Sequence, residues 1–379
     1  MLKSCLAIMH REFFYMWRDR NLRYILLIGP VLGLILFYTI YSAQTIKAIS
    51  TAIVDLDRSG ASRELVDQLS NAENLKVAAF PANFAEVEKL LQKGDAIVGI
   101  IIPEDFARNT TLGRQTNIAV IIDGSNFIYA TNASNAVLTV TRTISAQIGV
   151  KALLARGIPL TQAQEAYQSI LFRDEGWFNP ALNYAYFLLL ALALNLWQQF
   201  CMLAACMNII GETGTSSWTQ LKALGVSKLQ LFVSKSLVHI AAFMVMVLPI
   251  YALSFYIFKI PLYCSFWVLF LFTLLFAVSL HSIGTLASSL ATSALNATRF
   301  GMIIALPSFV LCGYTWPLEV MPHYLQQLVK VLPHTWFFQG LNYLTFKNPG
   351  WGFMSHYFLA MSVIALICYG AAAMLTSRS

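Results

Sequence analysis

Several apolar runs in this 379-residue chain are each long enough to cross a bilayer, which takes roughly 20 residues of helix. With 58% hydrophobic and only 11% charged residues, the sequence reads as an α-helical polytopic membrane protein. Spans are expected at about 24–42, 182–209, 237–258, 262–290, 300–315 and 352–376, which makes six transmembrane helices. Ahead of the first, residues 1–23 interleave Leu6, Met9, Phe13 and Trp17 with Lys3, Arg11, Arg18 and Arg20, which suits an elbow helix in the membrane interface. Such a leader resembles a secretory signal, but Tyr41-Ser42-Ala43 lacks the small-x-small cleavage pattern, so the first span reads as an uncleaved anchor.

The formal charge of +7 is unevenly placed. Residues 45–179 hold 14 of the 18 acidic residues against 12 basic ones, leaving 4 acidic and 13 basic residues elsewhere. The basic excess marks one side of a membrane, not a nucleic-acid surface. Five basic residues precede span 1, Lys222, Lys228 and Lys235 follow span 2, and Arg299 and Arg378 add weaker signals. With six spans all four segments fall on one side, so both termini are expected in the cytoplasm and 45–179 outside it.

That outer interval, about 135 residues long, has ordinary soluble composition and the size of an independent domain. Its pattern is mixed α/β. Strands are expected at 52–54, 75–80, 96–102 and 118–122, and helices at 60–70, 84–91, 126–156 and 160–171. None of the six cysteines falls in it, which excludes a disulfide framework there. Cys201 and Cys206 sit in an apolar run as small hydrophobes, and the six histidines are scattered without ligand spacing, so no metal site is expected.

Between spans 2 and 3 lies the short polar, amphipathic stretch from Gly211 to Lys235. Gly214-Thr215-Ser216-Ser217 gives a loop and a helix start, and Trp218, Leu221, Leu229, Leu231 and Phe232 supply apolar positions beside Lys222, Lys228 and Lys235. Two readings stand: a cytoplasmic helix that transmits force, or an ordinary loop with a little interfacial helix. A second irregular stretch, 313–350, is too apolar for a loop and too broken by Pro317, Pro322 and Pro333 for a span. It reads as a re-entrant helical hairpin, because proline-broken backbone at membrane depth must be buried in protein or face a water-filled cavity. A short amphipathic helix on the outer interface is the alternative.

Inside the spans, Asn195, Gln198 and Gln199 share one helical face by their i, i+3, i+4 spacing. They either line a translocation path or bond neighbouring helices. The run 279–298 carries a small-residue stripe of Gly284, Ala287, Ser288 and Ala291, suited to close helix packing. No Gly-Lys dipeptide occurs, so a GxxxxGK[ST] phosphate loop is absent and ATP hydrolysis is not expected in this chain. The shortage of acids outside 45–179 argues against acid-base catalysis in the membrane.

Three motifs in order resemble the ABC-2 family of ABC-transporter membrane permeases. They are AIVDLDRSGASRELVDQL (52–69) with KGDAIVGIIIPEDF (93–106) and IIDGSN (121–126), then GETGTSSWTQLKALGVSKLQLFVSK, then LCGYTWPLEVMPHYLQQLVKVLPHTWFF (311–338). The resemblance covers nearly the whole chain. It implies a type V exporter fold: elbow helix 1–23, span 1 at 24–42, an inserted extracytoplasmic α/β domain at 45–179, and a transmembrane domain at 180–379 with a coupling helix at 211–225 and a re-entrant region at 313–346. It further implies cytoplasmic ABC ATPase subunits that use ATP and magnesium, a second permease copy or sister permease, and room for a periplasmic adaptor. The chain itself would need no cofactor, bind no nucleic acid, and sit among lipids of a bacterial inner membrane.

By the same resemblance Glu212, Gly214, Thr215, Leu221 and Lys222 are coupling residues, Glu212 exposed and Leu221 buried in the ATPase. Gly313, Pro317, Met321, Pro322 and Pro333 form the re-entrant framework. Related permeases often carry a basic residue between the glutamate and the glycine, where this chain has Thr213. That shifts the expected ATPase contact toward Lys222 or Lys228, or marks the less engaged half of a heterodimer. The function implied is outward transport of a hydrophobic or amphipathic molecule. The alternative is a membrane-anchored receptor or scaffold with a ligand-binding outer domain, against which five further spans and a coupling-like loop argue.

Overall fold

The computed structural model describes residues 2–18, 24, 28–41, 47–167, 177–180, 183–213, 217–223 and 225–378. The chain divides into two compact units, one of residues 1–44 with 176–379 and one of 45–175.

The smaller unit is a four-stranded sheet with helices. Its elements run β1 (Ile49–Asp55), α3 (Gly60–Ser70), β2 (Leu75–Ala79), α4 (Phe84–Lys93), β3 (Val98–Ile102), α5 (Phe106–Thr111), β4 (Ala119–Ile122), α6 (Phe127–Ala155) and α7 (Leu160–Tyr167), where α1 and α2 lie in the other unit. Strand order is β2-β1-β3-β4, with β1 parallel to β2 and β3, and β4 antiparallel at the edge. Short polar side chains set the helix starts. Ser59 accepts from the Ser62 amide, and Asn83 accepts from the Glu86 amide while Glu86 reaches back to the Ala82 amide. Asp55 receives the amides of Asp57 and Arg58, holding the turn in which Arg58 takes a left-handed φ of 51°. Ile53, Leu65, Leu69, Val98 and Ile100, together with Val137 and Ile144 of α6, form a core of its own.

The larger unit is helical. It contains α1 (Leu2–Arg18), α2 (Gly29–Ile40), α8 (Tyr184–Cys206), α9 (Ile210–Thr213), α10 (Ser217–Ala223), α11 (Lys228–Ala252, continued by a π-helical turn Leu253–Ile257), α12 (Phe266–Leu290), α13 (Ala294–Leu311), α14 (His323–Val329), α15 (Pro333–Asn342, continued by a π-helical turn Tyr343–Lys347) and α16 (Trp351–Arg378). Among the described residues, five helices are long and apolar enough to cross a membrane: Tyr184–Cys206, Gln230–Ile257, Phe266–Leu290, Ala294–Leu311 and Trp351–Thr376. This is the architecture of a polytopic membrane protein. Of the expected first span, Gly29–Ile40 is an apolar helix shorter than a span, and parts of 19–27 and 42–46 lie outside the described residues.

Helices α8 and α12 make the centre. Trp197 of α8 is fully buried and its ring N–H donates to the Phe243 carbonyl of α11 at 3.1 Å. The small-residue stripe of α12 packs there: a Cβ on Gly284 would stand 2.4 Å from Ala205 Cβ, so only glycine allows this approach. In the irregular 313–346 region, Gly313 adopts φ 82°, Pro317 and Pro322 precede a 3₁₀ turn (Leu318–Val320) and α14, and Pro333 opens α15 at the position where a missing N–H costs nothing. Met321 ends the 3₁₀ turn, and its carbonyl accepts from Gln326. Helix α15 packs against α12, α13 and α16, with Phe337 stacked on Phe276 at 3.9 Å between ring centroids.

Candidate functional site

The 211–235 stretch is not one amphipathic helix. It divides into α9, α10 and the start of α11, with Gly225 at φ 74° before the last of these. Ser227 caps α11 in a reciprocal box with Gln230. Ser288 of α12 accepts from the amides of Ile209 and Ile210 at the entry to α9.

The structure turns Glu212 inward. It was expected to be exposed, but it is 6% exposed and bonded to Arg11 of α1 at 2.5 Å, to Lys235 of α11 at 3.0 Å, and to Ser217 of α10. Lys235 is itself buried and reaches a second carboxylate, Glu12 of α1, at 3.2 Å. The physical reason is charge balance: two buried carboxylates need partners, and Arg11 and Lys235 supply them. Leu221 is also turned inward, against Ile8 and Leu231 of the same chain, whereas Lys222 is exposed. Gly214 and Thr215 lie outside the described residues.

From Glu12 the cluster continues deeper. Its Oε1 lies 3.0 Å from His239 Nε2, His239 Nδ1 lies 3.1 Å from His281 Nε2, and His281 Nδ1 lies 2.9 Å from the Tyr369 hydroxyl. One pattern of single protons satisfies every ring nitrogen: Tyr369 donates to His281, His281 donates to His239, and His239 donates to Glu12. The order therefore runs α16, α12, α11, α1. Asn208, just after α8, joins alongside by donating to Ser236 of α11 and Thr285 of α12 at 3.2 and 3.0 Å.

Burial is the largest influence on the Glu12 carboxyl and would raise its pKa. The hydrogen bond from His239 and the charge of Lys235 outweigh it and hold the group at about 2, below its ordinary 4.5. Glu212 behaves likewise: burial raises it, while Lys235, Ser217 and Arg11 together bring it below its usual range. Both acids stay ionised at neutral pH, so the cluster acts as a fixed clamp between α1, α9 and α11, not as a proton donor. Among the described residues no group of three or more His, Cys, Asp or Glu side chains converges as a metal ion would require.

The three amides of α8 belong to a second, separate site. Gln198 is fully buried, donates to Asn195 and to the Ala305 carbonyl of α13, each at 3.1 Å, and accepts from His334 Nε2 of α15 at 2.9 Å. Gln199 also donates to Asn195, and both are only half-buried. Gln198 is thus interhelical glue that fixes the proline-opened α15 to α8 and α13.

Residues 22–375 match the family described as ABC-2 family transporter protein. The chain belongs to the ABC-2 family. This ABC-2 protein is 23% identical over 328 residues to the probable multidrug ABC transporter permease YbhR of Escherichia coli, covering 86% of this chain and 85% of that one. It is also 23% identical to the probable multidrug ABC transporter permease YbhS, over 86% and 84% of the two chains, and to the inner membrane transport permease YhhJ, over 91% of each. Membership makes it the membrane subunit of an ABC transporter, which implies a partner ATPase subunit.

Arg11, Glu12, Lys235, His239 and His281 were missed as site residues by sequence reasoning. One signal was present: Lys235 and His239 are four apart where a polar helix start gives way to a long apolar run, which puts two ionisable groups on one helical face. The partner residues 12, 212 and 281 carry no such mark.

Proposed function

We propose that this chain is the membrane-spanning permease of an ATP-driven exporter in a bacterial inner membrane, moving a hydrophobic or amphipathic molecule outward. Positive-inside charge supports six spans with both termini cytoplasmic and 45–179 outside. A cytoplasmic ATPase that binds ATP and magnesium docks on 211–225, and a second copy or a sister permease completes the path, with an adaptor accommodated on the outer side. Asn195 and Gln199, half-buried on α8, are the polar positions offered to that path.

The observation that carries the coupling part is the division of labour within 211–225. Glu212 and Leu221 fasten the segment to α1 and α11, while Lys222 faces outward. Force applied at Lys222 thus reaches a spanning helix through a buried ion pair. The test is tagged full-length chain purified from native membranes. Lys222→Glu should lower the co-purifying P-loop ATPase by about tenfold, the effect of losing one well-placed contact, with an unchanged melting temperature. Wild-type ATPase recovery and transport in that variant would move the docking site elsewhere.

A further inference from the structure

The α/β unit contains a cleft of about 770 Å³ between β4, the 113–118 loop and helices α5 and α6. That volume is within the range of sites that enclose small molecules, roughly 300–1,000 Å³. Its walls are of two kinds. Phe106, Val137 and Ile144 form an apolar floor, and Val120 and Leu138 stand over it still 38% and 44% exposed. Edge strand β4 has its neighbour β3 on one side only, so this apolar surface is left without cover from the sheet.

The second wall is polar and of one sign. Arg114 and Arg142 both line the cleft, no acidic residue does, and neither arginine has an ion pair among the described residues. The Thr116 hydroxyl, also in the lining, is buried with no hydrogen-bond partner. A buried hydroxyl without a partner costs free energy that an incoming acceptor would recover.

From these features we infer that the cleft binds a single-chain amphipathic anion, an acyl chain bearing a carboxylate or phosphate head. The chain lies along Phe106, Val120, Leu138 and Ile144. The head is held by the planar forks of Arg114 and Arg142, whose geometry matches such oxyanions, and accepts from Thr116. The inference stands on the cleft itself and holds whether or not the amphiphile is the exported molecule.

The experiment uses full-length protein in phosphatidylcholine nanodiscs with laurate carrying a terminal diazirine, and maps crosslinks by mass spectrometry. Saturable labelling of peptides within 106–149 is expected, competed by laurate and by dodecyl phosphate but not by dodecyltrimethylammonium. Arg114→Glu and Arg142→Glu, at exposed positions whose reversal leaves the fold intact, should each reduce it about tenfold, and Thr116→Val less. Labelling of the spanning helices by laurate dissolved in the bilayer should not change in these variants, which serves as the internal control. Absent labelling at 106–149, equal competition by the cation, or indifference to both arginine reversals would each overturn the inference. Displacement by phosphatidylglycerol added to the nanodiscs would overturn the single-chain assignment in favour of a membrane lipid.

Discussion

The two buried polar sites of the helical unit are built on opposite terms. Around Lys235 the partners are ions of α1 and α9, and the buried Glu12, Glu212 and Lys235 are balanced by one another and by the half-exposed Arg11. Around Gln198 the partners are neutral, and the bonds join α8, α13 and α15. The first site fastens short, polar helices to a span. The second fastens a proline-opened helix among the spans. Removing one member should therefore do unequal harm, since an unpaired buried charge costs far more than an unpaired buried amide.

The largest effect is expected at Lys235. Lys235→Met removes the buried cation that Glu12 and Glu212 share, and should destabilise the protein by about 3–5 kcal/mol. Thermal unfolding of the full chain in nanodiscs measures this, and a melting temperature within error of wild type would erase the distinction between the sites.

Acid should separate them next. The Glu12 pKa is depressed from 4.5 to about 2, so its stabilisation is complete above pH 4.5 and is lost as pH falls toward 2. The loss amounts to about 3 kcal/mol. Glu12→Gln should be less stable than wild type at pH 7 and show a smaller further decline between pH 5 and pH 2. Parallel pH profiles for the two proteins would mean that Glu12 is not held as an ion.

The smallest effect belongs to the neutral site. Gln198→Leu strands the buried His334 N–H and should cost about 1–3 kcal/mol, with a pH profile like that of wild type. A loss as large as that of Lys235→Met would show that the amide site carries as much of the fold as the charged one.

The same contrast explains what could be read from the sequence. Asn195, Gln198 and Gln199 show themselves by spacing within one helix, while the partners of Gln198, residues 305 and 334 on two other helices, carry no local sign. Strands were legible too, because each is a local apolar run: 75–80 and 118–122 correspond to β2 and β4 almost residue for residue. Glu212 was found for its position in the stretch but was given the wrong surroundings. Its environment depends on Arg11, 201 residues earlier, and on Lys235, which periodicity assigned to an amphipathic face. Local pattern reveals elements; it does not reveal which distant charge will neutralise which.

The bond from His239 to Glu12 spans 227 residues, and this sets an order of events during synthesis. At a ribosomal pace of about 5–20 residues per second, Glu12 leaves the ribosome roughly 10–45 s before its partners on α11 exist. Through that interval its carboxylate has no counter-ion from Lys235 and no donor from His239, so α1 must wait in water or at the headgroups. Its seating is then a late step of assembly, completed only once α11 is in the bilayer. The first helix made would be among the last to take its place, and its arrival would report that the helices around it are already home.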